Sequence, residues 1–322
     1  MRRLSFAAIF VVLLMAGFIA TRSDGQPNTL KQIVPGVWFR EGDIQNEGHC
    51  NNIIIEMSDY LIVVDANFPS GARAAMADAK RLSDKPVKYV FDTHHHGDHA
   101  YGNPVWTLAG ATTLAYVGVT EEMKRYEPTS WQNSAKNRKD VAELNLPTAE
   151  PPKQTFDKSP FVLKDGKRRV EFYYFGWAHT RGDGFVYLPK EKVLCTGDAL
   201  VNGPHNFMGQ GNIKNWNNVL RSAQKLKADY ILPGHGMPGR RDLFDGQMKF
   251  FTELQDSVQK AINQGKKLED LVTIEKGQKS TTTVQLSEDV QNWVGPSLPT
   301  QVRDTWEEIA QGKPHGEIVG GK

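Results

Sequence analysis

Apolar and polar positions alternate along Gln32–Glu41 and again along Asn52–Asp65, where NNIIIEMSDYLIVVDANF closes in a continuous apolar run. That is the pattern of paired strands with one buried face. Residues 70–82 change to an Ala-rich stretch behind Ser70, a candidate helix cap, and VKYVFDT at 87–93 is again strand-like. Strand, helix and strand in this order predict a layered α/β unit. ATTLAYVGVTEEMKR, 111–125, reads as a strand followed by a helix and closes a first half.

Between Glu127 and Pro160 the chain turns polar and Pro-rich, with Trp131 as its one large anchor, so it is read as an insertion or connection between halves. Strand signals resume in VEFYYFGWAHT, GFVYLP and KVLCTGDAL. A helix over Trp216–Leu226 and a short strand in DYILPGHG follow, repeating the first half in outline but not in sequence. Residues 243–263 and 286–312 read as helices without clustered chemistry, a structural C-terminal covering.

The first 26 residues stand apart from this pattern. A basic start at Arg2 and Arg3, an apolar run from Leu4 to Ala20, and then small and polar residues have the layout of a secretory signal. Cleavage after Gly25 places Ser23 and Gly25 at the two positions a signal peptidase inspects, and export to the periplasm or beyond is expected. The alternative is an uncleaved membrane anchor. Composition adds little else: 39% hydrophobic and 24% charged residues suit a full globular core. Removing residues 1–25 takes away three arginines and one aspartate, which brings the formal charge from +2 to about zero and implies no nucleic-acid partner. Cys50 and Cys195 are read as two small buried residues, with pairing in an oxidising compartment as the alternative.

Candidate chemistry gathers in FDTHHHGDHAYGN, 91–103, which holds four of nine histidines. In an extended chain leaving a strand, residues two apart point the same way, so His94 and His96 face one point. Gly97, with backbone angles closed to other residues, is expected to reverse the chain and turn Asp98 and His99 to a second point. Zinc usually takes four ligands from imidazole nitrogen and carboxylate oxygen, so this loop needs others. His179, Asp198 and His235 each follow a strand and precede a turn, where sites on an α/β sandwich are built.

The order His-x-His-x-Asp-His, a later His, an Asp and a final His, from Thr93 to Gly236, resembles the metallo-β-lactamase fold superfamily over roughly residues 30–240. The resemblance implies a four-layer αβ/βα sandwich, here with a C-terminal helical extension: a signal peptide at 1–25, the domain at 26–242 and a helical region at 243–322. It implies two zinc ions, with iron or manganese as alternatives. His94, His96 and His179 would hold one, Asp98, His99 and His235 the other, with Asp198 bridging and His95 pointing away. Two such cations can lower a bound water's pKa from about 15.7 to about 7, and Asp98 would hold the nucleophile and pass a proton to the leaving group. The expected function is hydrolysis of a cyclic or activated acyl compound, a lactone, β-lactam or thioester; a small molecule is the expected partner. Open alternatives are a β-lactamase proper, a mononuclear iron persulfide dioxygenase and a silent metal-binding accessory protein. Asp65 is expected to brace the metal loop, and Thr180 and Asp183 to orient ligands or simply form a turn. His49 and His205 are placed on the rim as solvated loop residues. Trp131, Phe207 and Trp216 are assigned to core or pocket wall.

Overall fold

The computed structural model describes residues 26–274 and 280–319; the leader expected at 1–25 lies outside them. Strands β1 (Leu30–Val34), β2 (Val37–Arg40), β3 (Asn52–Glu56), β4 (Leu61–Val64), β5 (Val87–Asp92), β6 (Thr112–Tyr116) and β7 (Gln154–Phe156) form one sheet in sequence order. The first four pair antiparallel, and β4 to β7 run parallel. A second sheet has the order β12 (Tyr230–Pro233), β11 (Val193–Gly197), β10 (Gly184–Leu188), β9 (Arg169–Tyr174), β8 (Phe161–Lys164), with only β11 and β12 parallel.

Side-chain alternation along single strands decides the layering. Ile53 and Ile55 of β3 join Ile62 and Val64 of β4 in the core between the sheets. Their neighbours Ile54, Leu61 and Val63 pack instead against Ala72, Ala75 and Ala79 of helix Pro69–Leu82. The second sheet repeats this: Val186, Leu188, Val193 and Cys195 face the first sheet, while Phe185, Tyr187 and Leu194 face helices Ile213–Gln224 and Asp242–Asn263. A period of two thus buries both faces of both sheets, giving the four-layer αβ/βα sandwich. Each fully buried large side chain contributes about 1.5–3 kcal/mol. Cys195 lies in the inter-sheet core, Cys50 is buried elsewhere, and both are free thiols. Burial pushes Cys50 up to about 12.

Three expectations need adjustment. Residues 127–160 are more than a connection: helices Thr129–Asn137 and Lys139–Ala142 precede β7, which adds a parallel strand to β6. Trp131 anchors this part, buried edge-on to Tyr101 with ring centroids 4.9 Å apart, its Nε1 donating to Leu146 O at 2.9 Å. The expected helix over 286–312 divides into a 3-10 turn, Glu288–Trp293, and helix Leu298–Gln311. Gly295 and Pro296 explain the break, since the residue before proline is forced from helical angles. The helix expected over Trp216–Leu226 starts earlier, because the Asn212 side chain accepts from Asn215 N at 3.1 Å and caps it. Among the described residues no helix is long and apolar enough to cross a membrane.

Candidate metal centre

Two parallel strand pairs deliver the site. β5 ends at Asp92 and carries the chain into the histidine cluster. Register pairs Gly197 of β11 with Pro233 of β12, so Asp198 and His235 emerge side by side from the opposite sheet. His179 follows β9, where Asp183 folds its own loop. One Asp183 oxygen accepts from Ala178 N and His179 N at 3.1 and 2.7 Å, the other from Thr180 N and Oγ1 at 2.8 and 2.7 Å. Burial pushes the Asp183 carboxyl up to about 7 although these donors oppose it.

The short loop 94–99 turns differently from expectation. Gly97 opens the short helix Gly97–Ala100 and is absent from the positive-φ positions. What it supplies is space: a Cβ there would stand 2.8 Å from the Tyr101 ring and 2.9 Å from Phe68.

Proton accounting shows what the first cluster offers. Thr93 Oγ1 donates to Asp65 Oδ1 at 2.8 Å, so its lone pair accepts from His94 Nδ1 at 3.1 Å and leaves His94 Nε2 deprotonated. The carbonyl of Phe207 can only accept, which places the proton of His179 on Nδ1, 2.9 Å away. Gln210 Oε1 takes the proton of His96 Nε2 at 2.7 Å. Three lone pairs therefore face one another: His94 Nε2 and His179 Nε2 each lie 3.0 Å from His96 Nδ1. A proton is a poor occupant, because burial first and then the neighbouring imidazoles hold His94 well below its ordinary value and His179 at about 3.

Beside it, His235 Nε2 stands 3.0 Å from Asp98 Oδ2 and 3.4 Å from His99 Nε2. Asp198 lies between the clusters: Oδ2 is 3.3 Å from His235 Nε2 and 3.9 Å from His179 Nε2, and Oδ1 is 3.5 Å from His99 Nε2. Burial alone would lower His235, but the Asp198 and Asp98 carboxylates override it and hold it at about 9. Both carboxylates are in turn held well below the ordinary range against their burial, chiefly by His99 at Asp98 and by His235 at Asp198. Asp198 Oδ1 is buried without a hydrogen-bond partner. Converging lone pairs beside an orphaned carboxylate oxygen are the donor set of a nitrogen- and oxygen-liking divalent cation. His94, His96 and His179 form one group able to hold an ion, and Asp98, His99 and His235 another.

Asp65 stands behind both. Its Oδ1 also accepts from Thr93 N at 2.9 Å, and its Oδ2 is 3.0 Å from His99 Nδ1. His95 enters none of the converging groups among the described residues; its ring lies flat on Tyr126, centroids 5.3 Å apart. His49 is buried, not a solvated rim residue, with Nε2 2.8 Å from Ser70 Oγ, whose hydroxyl binds Asp140 of the 127–160 segment. Trp131 and Trp216 are core, whereas Phe207 is 53% exposed and, with His205, lines a cavity of about 480 Å³ over the cluster. Sequence reasoning passed over Thr93, Phe207 O and Gln210 as groups that orient the rings. The first adjoins the motif and was within reach, whereas nothing in FMGQGN marks the other two.

The model of the metallo-beta-lactamase superfamily matches residues 46–235, more than half of the chain. The chain belongs to the metallo-beta-lactamase superfamily. It is thus a metal-dependent hydrolase, of a family that acts on small-molecule substrates. A curated relative, the metallo-beta-lactamase type 2 of Elizabethkingia meningoseptica, is 26% identical over 192 residues, covering 58% of this chain and 68% of that one. In fold the chain is similar to the metallo-beta-lactamase from Pontibacter korlensis, with TM-score 0.55 and 19% identity over 70% of this chain and 98% of that one. It is also similar to FIM-1 from Pseudomonas aeruginosa, solved in a mono-zinc form, with TM-score 0.56 and 21% identity over 71% and 96%.

Gly234 tests the packing of this superfamily site. A Cβ there would stand 2.4 Å from Asp198 Oδ1 and 2.8 Å from His99 Cε1, so Gly234→Ala should push the carboxylate aside and weaken divalent-metal binding by about tenfold or more, read by chelator competition. Unchanged metal affinity in the folded variant would contradict the placement of Asp198.

Proposed function

We propose that this protein is an exported dinuclear zinc hydrolase that opens a cyclic or activated acyl substrate, a lactone, β-lactam or thioester. The observation that carries the proposal is the meeting of three imidazole lone pairs in one cluster with an Asp-His-His cluster next to it and Asp198 between them. His94, His96 and His179 would hold one ion, Asp98, His99 and His235 the other, and Asp198 both. Such a pair supplies a water acidic enough to ionise near pH 7 and an electrophile for a carbonyl oxygen.

The chain's own residues do the rest. Asp98 keeps 23% of its side chain exposed against 7% for Asp198, so Asp98 is the carboxylate that reaches arriving water and substrate. With Oδ2 engaged by His235, its other oxygen is the one to orient the attacking water and then carry a proton to the leaving group. Phe207, Met208 and Ile44 give the cavity one apolar side, while Glu127, Ser130, Ser134, Asn206, Gln210 and Thr300 make most of its remaining lining polar. The β-lactamase relative makes β-lactams the first substrates to try, with lactones and thioesters beside them. A reporter fused to residues 1–30 should leave the cytoplasm, as the basic start and apolar run require; its retention would overturn export.

Asp198→Asn separates bridging from turn formation. An amide carries no charge and its nitrogen cannot ligate, so bound zinc should fall from about two ions per chain to about one, and turnover by at least about tenfold, with partial recovery in excess zinc. Asparagine is an equally good turn residue. Full stoichiometry with near-normal turnover would refute the bridge, and a single tightly held iron with persulfide-dependent oxygen uptake would replace the hydrolase.

A further inference from the structure

Residues 298–319, beyond the matched region 46–235, reach the metal centre through one loop. That loop, 202–212, has no helix or strand of its own. It nevertheless supplies the two groups that fix His179 and His96, the Phe207 carbonyl at 2.9 Å and Gln210 Oε1 at 2.7 Å. An irregular loop holds such groups in place only where it is tied down.

The ties come from the C-terminal segment. Buried Gln301 donates from Nε2 to Asn206 O at 2.6 Å, and buried His315 donates from Nδ1 to Gly209 O at 2.8 Å. Gly316 N donates to Gly211 O at 3.0 Å. The Glu308 carboxylate accepts from Ile213 N, Lys214 N and His315 N at 3.0, 2.7 and 2.9 Å, so one side chain fixes both the helix that follows the loop and the residue that grips it. Contact is also close: a Cβ on Gly316 would stand 2.4 Å from Gln210 O.

We propose that segment 298–319 is a working part of the metal centre, in which Gln301 and His315 are positioning residues. Through loop 206–211 they hold His96 and His179 in the tautomer and orientation that present Nδ1 and Nε2 to the first ion. This rests on His94, His96 and His179 being ligands. The tied part is one-sided: within 206–211 the Phe207 carbonyl and Gln210 Oε1 bond His179 and His96, whereas the loop meets the second cluster at its other end, where Asn202 N donates to His235 O at 3.1 Å and the His205 and His235 ring centroids lie 5.7 Å apart.

One-sidedness provides the test. Zinc titration of the full chain against a competing chelator should resolve two dissociation constants, assigned by their loss in His96→Ala and His235→Ala. His315→Ala should raise the constant of the His96 cluster by about ten- to a hundredfold, as loss of an outer partner does, and leave the other within about twofold. His315→Asn should restore it, because the asparagine amide nitrogen can take the place of Nδ1 and donate to Gly209 O. Gln301→Ala should give the same selective loss, and decides the matter if His315→Ala does not fold. Wild-type constants in the folded variants, equal weakening of both ions, or failure of asparagine to rescue would each overturn the inference. If His96→Ala itself loses no zinc, the ligand assignment beneath it falls instead.

Discussion

The Asp65 carboxylate is the constraint on which both halves of the site depend. One oxygen takes both donors of Thr93 and thereby sets the proton of His94; the other stands against His99 Nδ1. One buried group thus orients the His94 ring through Thr93 and sets its other oxygen against the His99 ring as a charge contact, with the Nε2 of both rings facing the clusters. Fold topology puts it there: β4 and β5 run parallel, with Val64 opposite Phe91, so Asp65 and Thr93 leave adjacent strand ends together. Its left-handed backbone, φ +67°, turns the chain at that point. Such a conformation in a non-glycine residue costs of order 1–3 kcal/mol and persists where the surroundings over-determine it.

Around this brace the electrostatics divide. The three-histidine cluster is kept neutral by burial and mutual repulsion, whereas the Asp198 and Asp98 carboxylates beside it draw positive charge to His235. A buried site so arranged is frustrated without a cation and relieved by one. Binding energy should therefore appear in part as folding stability. The outer contacts come from three parts of the fold: Asp65 after a strand of the first sheet, Asp183 before a strand of the second, and Gln210 from a loop held by the C-terminal helices.

The layered fold and the convergence of these His and Asp side chains were legible because both rest on short-range pattern. A period of two in NNIIIE, and strand ends followed by His or Asp, survive in one dimension. What sequence did not show depends on distant partners. The 127–160 segment looked like a polar connection because its helices bury little beyond Trp131 and its strand is three residues long. His49 looked exposed because its partner Ser70 lies 21 positions away. Gln210 and His315 sit in stretches without period or motif, and their importance arises only where residues more than a hundred positions apart meet.

The central claim is that two ions sit in two defined clusters. Anomalous diffraction at the zinc absorption edge, on crystals of the protein grown with zinc, addresses it directly. The account predicts two peaks about 3.5–4 Å apart, one among His94, His96 and His179, the other among Asp98, His99 and His235, with Asp198 reaching both. A single peak at saturating zinc, or a second peak elsewhere with Asp198 turned away, would contradict it.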